Sequence, residues 1–242
     1  MNLCIDQGNS STKIGIFNQS ILVEFASFEN FEIAEVSELL VRHTINACIL
    51  SSVILDNNNL LVYLKDKFPD LIILSHLTPV PIENRYKTPE TLGKDRLAVV
   101  VGASFLKPNT DILVVDAGTA ITYDLIDANK VYLGGNIAPG LNLRLRSLHE
   151  FTQKLPLIEA QENSPLLGID TSSAIMSGAL YGIIYEIDGY INTLKFKYPQ
   201  LSVFLTGGSI FYFDTKLKNA IFAERNLVLI GLNRILQYNV QK

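Results

Sequence analysis

Two short stretches of the chain carry an acid, a glycine and hydroxyl side chains in the same order. Asp6-Gln7-Gly8-Asn9-Ser10-Ser11-Thr12-Lys13 follows an apolar run, and Asp116-Ala117-Gly118-Thr119-Ala120 follows another 110 positions later. Gly8 and Gly118 let the backbone come close to an anion. Hydroxyls and backbone N–H groups can donate to phosphate oxygens, and the Asp6 carboxylate can hold a hydrated Mg²⁺. The first loop is not a Walker loop, because the Gly-Lys-Ser/Thr ending and the following helix are missing. Alone, either stretch is a hairpin turn; together they can grip a nucleotide's phosphates from two sides. Gly207-Gly208, after an apolar strand, is either a third point of close approach, beneath the adenosine, or a plain strand-to-helix turn.

A further candidate is Pro81-Ile82-Glu83-Asn84-Arg85-Tyr86-Lys87-Thr88-Pro89-Glu90-Thr91-Leu92-Gly93-Lys94-Asp95-Arg96. Pro89 disfavours a helix before it. Gly93 frees the backbone where a helix begins, a place that binds anions and polar groups. Asp95 and Arg96 then project from the first turn. Adjacent helical positions do not face each other, so one can point at a reacting hydroxyl while the other holds another part of the substrate. The plainer alternative is that Asp95 caps the helix. His43, His76 and His149 follow no metal-ligand spacing, and Cys4 and Cys48 sit in apolar runs as buried thiols. Arg144 and Arg146 alternate with leucines, the pattern of a solvated helix face, and receive no role.

Positioning these residues requires strand–turn–strand hairpins. Asn2–Asp6 and Lys13–Phe17 form one, and Asp111–Asp116 and Ile121–Ile126 form its repeat, aligning Asp6 with Asp116, Gly8 with Gly118, Asn9 with Thr119 and Thr12 with Thr122. The period is too long for a solenoid and indicates two related lobes, placed at residues 1–110 and 111–242. Periodicity predicts helices over Ile33–His43 and Asn57–Phe68, with strands at Ala47–Ser52 and Leu71–Ser75. A proline-punctuated loop spans Thr78–Pro89, and a helix covers Leu92–Leu106. After a strand at Lys130–Leu133 and the stretch Gly134-Gly135-Asn136-Ile137-Ala138-Pro139-Gly140, a helix starts at Pro139-Gly140. Thr171–Lys195 is a long apolar helix, Ser202–Thr206 a strand, and Gly207-Gly208 opens another helix. The class is α/β, with mixed sheets flanked by helices.

The chain has 242 residues, 48% hydrophobic and 18% charged, with a formal charge of −4. It can bury a full core, and its acidic balance gives no long-range pull toward nucleic acid or an anionic membrane. Met1–Asp6 places no basic segment ahead of an apolar stretch, and no run approaches a spanning length of ~18 residues. A cytoplasmic protein is expected.

The order Asp-x-Gly, Asp-x-Gly-Thr and Gly-Gly resembles the phosphate-1, phosphate-2 and adenosine motifs of the actin-like ATPase and sugar-kinase superfamily. Within it, the stretch from Asn84 to Arg96 resembles the Asn-x-Tyr-x-x-Pro-x-x-Leu-Gly-x-Asp-Arg signature of type III pantothenate kinases. So do Asp116–Ala120, Gly134-Gly135-Asn136-Ile137-Ala138-Pro139-Gly140, and Thr171 with Ser177-Gly178. The resemblance runs from Asp6 to Gly208. It implies two actin-like (ribonuclease H-like) lobes with a nucleotide cleft between them, and transfer of the ATP γ-phosphate to the primary hydroxyl of pantothenate, the first step of coenzyme A biosynthesis. By resemblance, Asp95 is the general base, and Tyr86, Gly93, Lys94, Arg96 and Thr171 join it in binding pantothenate. The resemblance also implies that Asp6 to Lys13 and Thr119 contact MgATP and that Asp116 holds a potassium or ammonium ion. The resemblance further implies a homodimer in which Thr171 comes from the neighbouring subunit; on the residues alone, Gly178-Ala179 and Gly182 behind it suit packing within one chain equally well. Lys94 departs from the family's usual small residue, and Asn9-Ser10 replaces Asn-Thr while keeping the hydroxyl. One rival reading is a non-catalytic nucleotide-binding regulator on this scaffold, which would tolerate loss of Asp95, Arg96 or Thr171, and all three are present; the other is an actin-like ATPase or another small-molecule kinase of the superfamily, against which the Asn84–Arg96 signature argues.

Overall fold

The computed structural model describes residues 1–8, 11–53 and 58–240, with only the backbone of Asn58. The chain forms two compact units, one of residues 1–108, 130–132 and 226–242, the other of 109–129 and 133–225.

In the first unit, β1 (Asn2–Gln7), β2 (Thr12–Asn18) and β3 (Ile21–Phe28) form an antiparallel meander, followed by α1 (Ile33–Arg42), β4 (Ala47–Ser52), α2 (Asn58–Lys67), β5 (Ile72–Ile73), β6 (Glu83–Asn84) and α3 (Lys94–Leu106). The sheet order is β3-β2-β1-β4-β5, with β4 parallel to both β1 and β5. Alternate residues of the hairpin, Leu3, Ile5, Ile14 and Ile16, pack with Val36 and Leu39 of α1 and Leu60 and Leu64 of α2.

The second unit repeats this plan. It contains β7 (Ile112–Ala117), β8 (Ala120–Ile126), β9 (Val131–Pro139), α4 (Leu141–Glu150), α5 (Thr171–Lys197), β10 (Ser202–Thr206) and β11 (Phe222–Ala223). Its strands run β11-β10-β7-β8-β9, with β7 and β8 antiparallel and β10 parallel to β7 and β11. Strand for strand, β7, β8, β9, β10 and β11 stand where β1, β2, β3, β4 and β5 stand in the first unit, so the repeat seen in two loops is a repeat of whole sheets. Val115, Ile121 and Tyr123 of this sheet bury against Leu180, Ile183 and Ile187 of α5. The first residues of β9, Val131 and Tyr132, group with the first unit, where they pair in parallel with β6.

The last helix, α6 (Leu227–Val240), returns to the first unit and crosses α3 at very short range. A Cβ on Gly231 would lie 1.8 Å from the Ala98 carbonyl oxygen, and one on Gly102 2.6 Å from that of Leu227. Asn233 of α6 accepts from the Asn2 amide side chain at 2.8 Å and donates to the carbonyl of Gln19, the left-handed residue (φ 55°) that turns β2 into β3.

Three expectations need correction. Strand β9 does not stop at Leu133 but continues through Gly134-Gly135 to Pro139. Gly135 lies against β8, where a Cβ would be 1.9 Å from the Tyr123 carbonyl oxygen, so a bare glycine permits the close strand contact. Gly207-Gly208 opens only a single 3₁₀ turn, Ile210–Tyr212, not a helix. At the level of strand pairing Thr12 is not the counterpart of Thr122: Asp6 faces Lys13, whereas Asp116 faces Thr122, because the first turn is one residue longer.

Candidate active site

The first loop leaves the end of β1. Gly8 N–H donates to the Ser11 carbonyl at 3.0 Å, closing the turn, and the Gln7 side chain is buried, its Oε1 accepting from Ser52 Oγ at 2.9 Å. Thr12 is buried and Ser11 and Lys13 are half-buried; Asn9 and Ser10 lie outside the described residues. Burial pushes the Asp6 carboxyl up to about 6; Lys13 and a hydrogen bond with Ser51 oppose the rise, while the Asp95 carboxylate adds to it. The Asp95 charge therefore reaches Asp6 inside the first unit.

Asp95 and Arg96 occupy the first turn of α3, whose N-cap is Gly93. The Asp95 side chain is exposed and its Oδ1 accepts from the Arg96 N–H at 2.8 Å, which satisfies one otherwise orphaned helix donor. Only one carboxylate oxygen makes this bond, so the capping contact leaves the second oxygen of an exposed side chain available. A Cβ on Gly93 would lie 2.5 Å from that same Oδ1, so the bare glycine leaves the carboxylate its room. Arg96 is only 4% exposed. Its guanidinium donates to the Tyr132 hydroxyl at 3.1 Å and lies 5.5 Å from the centre of the Tyr86 ring, which is stacked with Tyr132. The aromatic pair holds the fork of a buried arginine. Lys94 Nζ donates to the Ser52 carbonyl at 2.9 Å, tying the signature loop to the end of β4.

In the second unit Asp116 closes β7, half-buried, opposite Thr122. Gly118 N–H donates to the Ala120 carbonyl at 3.0 Å, and the Thr119 side chain is exposed on the turn. Gly207 has φ 101°, and a Cβ there would lie 2.4 Å from Asp116 Oδ1, so only glycine fits beside that carboxylate; Gly208 borders open space. Among the described residues, Thr122 Oγ1 is the one buried side-chain polar atom without a hydrogen-bond partner. Thr171 is the exposed first residue of α5, whose N-cap Asp170 accepts from Ser173 N–H at 2.8 Å. No group of three or more His, Cys, Asp or Glu side chains among the described residues could hold a metal ion.

The family model described as type III pantothenate kinase matches residues 2–193. A type III pantothenate kinase of Phocaeicola vulgatus is 50% identical over 239 residues, covering 99% of both chains. The chain belongs to the type III pantothenate kinase family. Its fold is shared with a Campylobacter jejuni protein solved as a Baf family transcriptional activator (TM-score 0.62, 22% identity, 99% of this chain and 100% of that one). It is also shared with (R)-2-hydroxyglutaryl-CoA dehydratase component A of Acidaminococcus fermentans (TM-score 0.56, 13% identity, 100% and 99% covered).

As a type III pantothenate kinase the chain takes ATP, and no helix among its described residues is long and apolar enough to cross a membrane. Two features of this pantothenate kinase were not legible in its sequence. Arg144 is not on a solvated face: its Nη2 donates to Glu186 Oε2 at 2.6 Å and its Nε to the Pro139 carbonyl at 2.8 Å, while Tyr123 donates to Glu186 Oε1 at 2.8 Å. Glu186 lies on the helix 42 positions on, with no sequence signal linking the two. Arg146 does lie on the surface, paired with Glu150 at 3.2 Å. The second feature, the orphan Thr122 hydroxyl opposite Asp116, was visible only as half of an imperfect repeat.

Proposed function

We propose that this pantothenate kinase uses the first turn of α3 as its acceptor-activating element, with Asp95 taking the proton from the primary hydroxyl of pantothenate as that oxygen bonds to the γ-phosphorus of ATP. The observation that carries this reading is the pairing of an exposed carboxylate with a buried, aromatic-clamped guanidinium on consecutive residues. Phosphoryl transfer passes through a loose transition state, so positioning and charge neutralisation contribute more than basicity. Arg96 and Tyr86 hold pantothenate, the guanidinium facing a carboxylate or amide oxygen, with Gly93 and Lys94 shaping the loop. Gln7, Gly8, Ser11, Thr12 and Lys13, with Asn9 and Ser10, contact ATP from one side, and Thr119 contacts it from its own turn.

Mg²⁺ fits Asp6: its carboxyl is raised by burial and by the Asp95 charge, an environment that a divalent cation relieves. With few carboxylates on offer, the ion would keep waters and phosphate oxygens as its other ligands, as Mg²⁺ prefers. When bound, it neutralises charge on the transferring phosphate.

A monovalent cation fits Asp116. In the first unit the acid faces an ammonium group, Lys13; in the second it faces a hydroxyl with no hydrogen-bond partner. Potassium or ammonium beside Asp116 and Thr122 would restore the charge that the repeat lost, on oxygen ligands suited to it.

We further propose a cytoplasmic homodimer in which Thr171 reaches the neighbouring subunit's substrate. Thr171 is exposed, Leu167 and Ile169 before it are 80% and 92% exposed, and Gly178 of α5 borders open space.

A coupled assay of ADP formation with and without pantothenate, in potassium and then in sodium buffer, tests the reading. ADP should appear only with pantothenate and faster in potassium. ADP formation indifferent to pantothenate would overturn it.

A further inference from the structure

We propose that Arg144 is a positioning residue for the nucleotide turn Gly118-Thr119, acting through a single peptide group. The peptide joining Pro139 to Gly140 is held at both edges. Its carbonyl accepts from Arg144 Nε at 2.8 Å, and its N–H donates to the Thr119 carbonyl at 3.0 Å. A peptide group is planar, with C=O and N–H pointing opposite ways, so it cannot rotate without losing both bonds. Donation to its carbonyl by a charged group also strengthens its N–H as a donor. Contact at this place is close: a Cβ on Gly140 would lie 2.3 Å from the Gly118 carbonyl oxygen and 2.5 Å from that of Thr119. The guanidinium thereby sets where the turn's backbone sits.

Arg144 is itself fixed. Glu186 Oε2 accepts from its Nη2 at 2.6 Å, and the other carboxylate oxygen accepts from the Tyr123 hydroxyl at 2.8 Å. Burial, followed by the Glu186 contact, pushes the Tyr123 hydroxyl well above its ordinary range, so it stays a donor. Arg144 and Glu186 are 22% and 28% exposed, which shields the pair from solvent. The relay therefore runs from α5 through α4 to the end of β9 and on to the turn after β7. Only a fork with donors on separate nitrogens can serve both Glu186 and Pro139 in this geometry; a lysine ammonium offers a point charge.

The inference rests on the reading that Thr119 contacts ATP, and the experiment separates the two. Steady-state KM values for ATP and pantothenate are measured for the wild type, Arg144→Lys, Arg144→Met and Thr119→Val, alongside melting temperatures. Arg144→Lys keeps the ion pair with Glu186 and most of the thermal stability. It should nevertheless raise KM for ATP ~5-fold or more, ~1 kcal/mol, while KM for pantothenate stays within about twofold. Arg144→Met should raise it further and lower the melting temperature. If Thr119→Val raises KM for ATP but both Arg144 variants leave it unchanged, the positioning role is wrong. If Thr119→Val also leaves it unchanged, the nucleotide-contact reading falls first. A change in melting temperature alone, with both KM values intact in Arg144→Met, would reduce Arg144 to a structural residue and overturn the proposal.

Discussion

Asp6 should make the ligand-free protein less stable than it could be. Its carboxyl rises from 3.8 to about 6, chiefly through burial. A raised carboxyl favours the protonated form in the folded state, so its stabilising share is complete below the unfolded value and is lost as pH climbs through about 6. At roughly 1.4 kcal/mol per pH unit, ionised Asp6 costs the folded state on the order of 3 kcal/mol near pH 8. Asp6→Asn copies the protonated side chain and removes that cost. Urea denaturation of the ligand-free protein should therefore show Asp6→Asn more stable by about 3 kcal/mol at pH 8 and by about half of that at pH 5. The same variant should lose the extra stability that the wild type draws from MgATP. A variant no more stable at pH 8, or equally stabilised at both pH values, would refute the argument.

Three further outcomes follow from particular contacts. Arg96→Lys forfeits the fork between Tyr86 and Tyr132, and KM for pantothenate should rise ~10-fold or more; an unchanged KM would remove Arg96 from substrate binding. Gly231→Ala drives a methyl into the Ala98 carbonyl at the α3–α6 crossing, and chemical denaturation should register a loss of ~2 kcal/mol or more; a neutral variant would contradict the crossing. Thr122→Val removes a buried hydroxyl without a partner, so stability without potassium should hold or rise by ~1 kcal/mol. The potassium concentration for half-activation should increase, and an unaltered one would detach Thr122 from the cation.

Much of this was legible because the informative residues constrain backbone locally. Asp6-x-Gly8 and Asp116-x-Gly118 mark turns at strand ends, and Pro89, Gly93 and the apolar run after Arg96 mark the start of α3. What stayed hidden depended on tertiary partners. Strand β3 has Ile21, Val23 and Phe25 on its exposed side, which erases the alternation that would reveal it. The continuation of β9 past Leu133 stayed hidden because nothing local shows that Tyr123 backbone will crowd Gly135. Helix α6 is apolar on most of its surface, since it packs on α3 and the first sheet together, and carries no clear periodic stripe. Of the candidate site, the glycines and carboxylates were readable as types. The Arg144–Glu186–Tyr123 relay, the Lys94–Ser52 tie and the Lys13/Thr122 correspondence required strand register and helix packing to appear.

The role of Asp95 is tested most directly by the turnover of Asp95→Asn with saturating ATP and pantothenate, paired with calorimetric binding of pantothenate to the same protein. Asparagine keeps the oxygen that accepts from the Arg96 N–H, so folding and substrate affinity should stay within a few-fold of wild type. Turnover should fall ~10²-fold or more, the scale of a lost general base. Near-normal turnover with pantothenate bound would contradict the central claim that this carboxylate activates the acceptor hydroxyl.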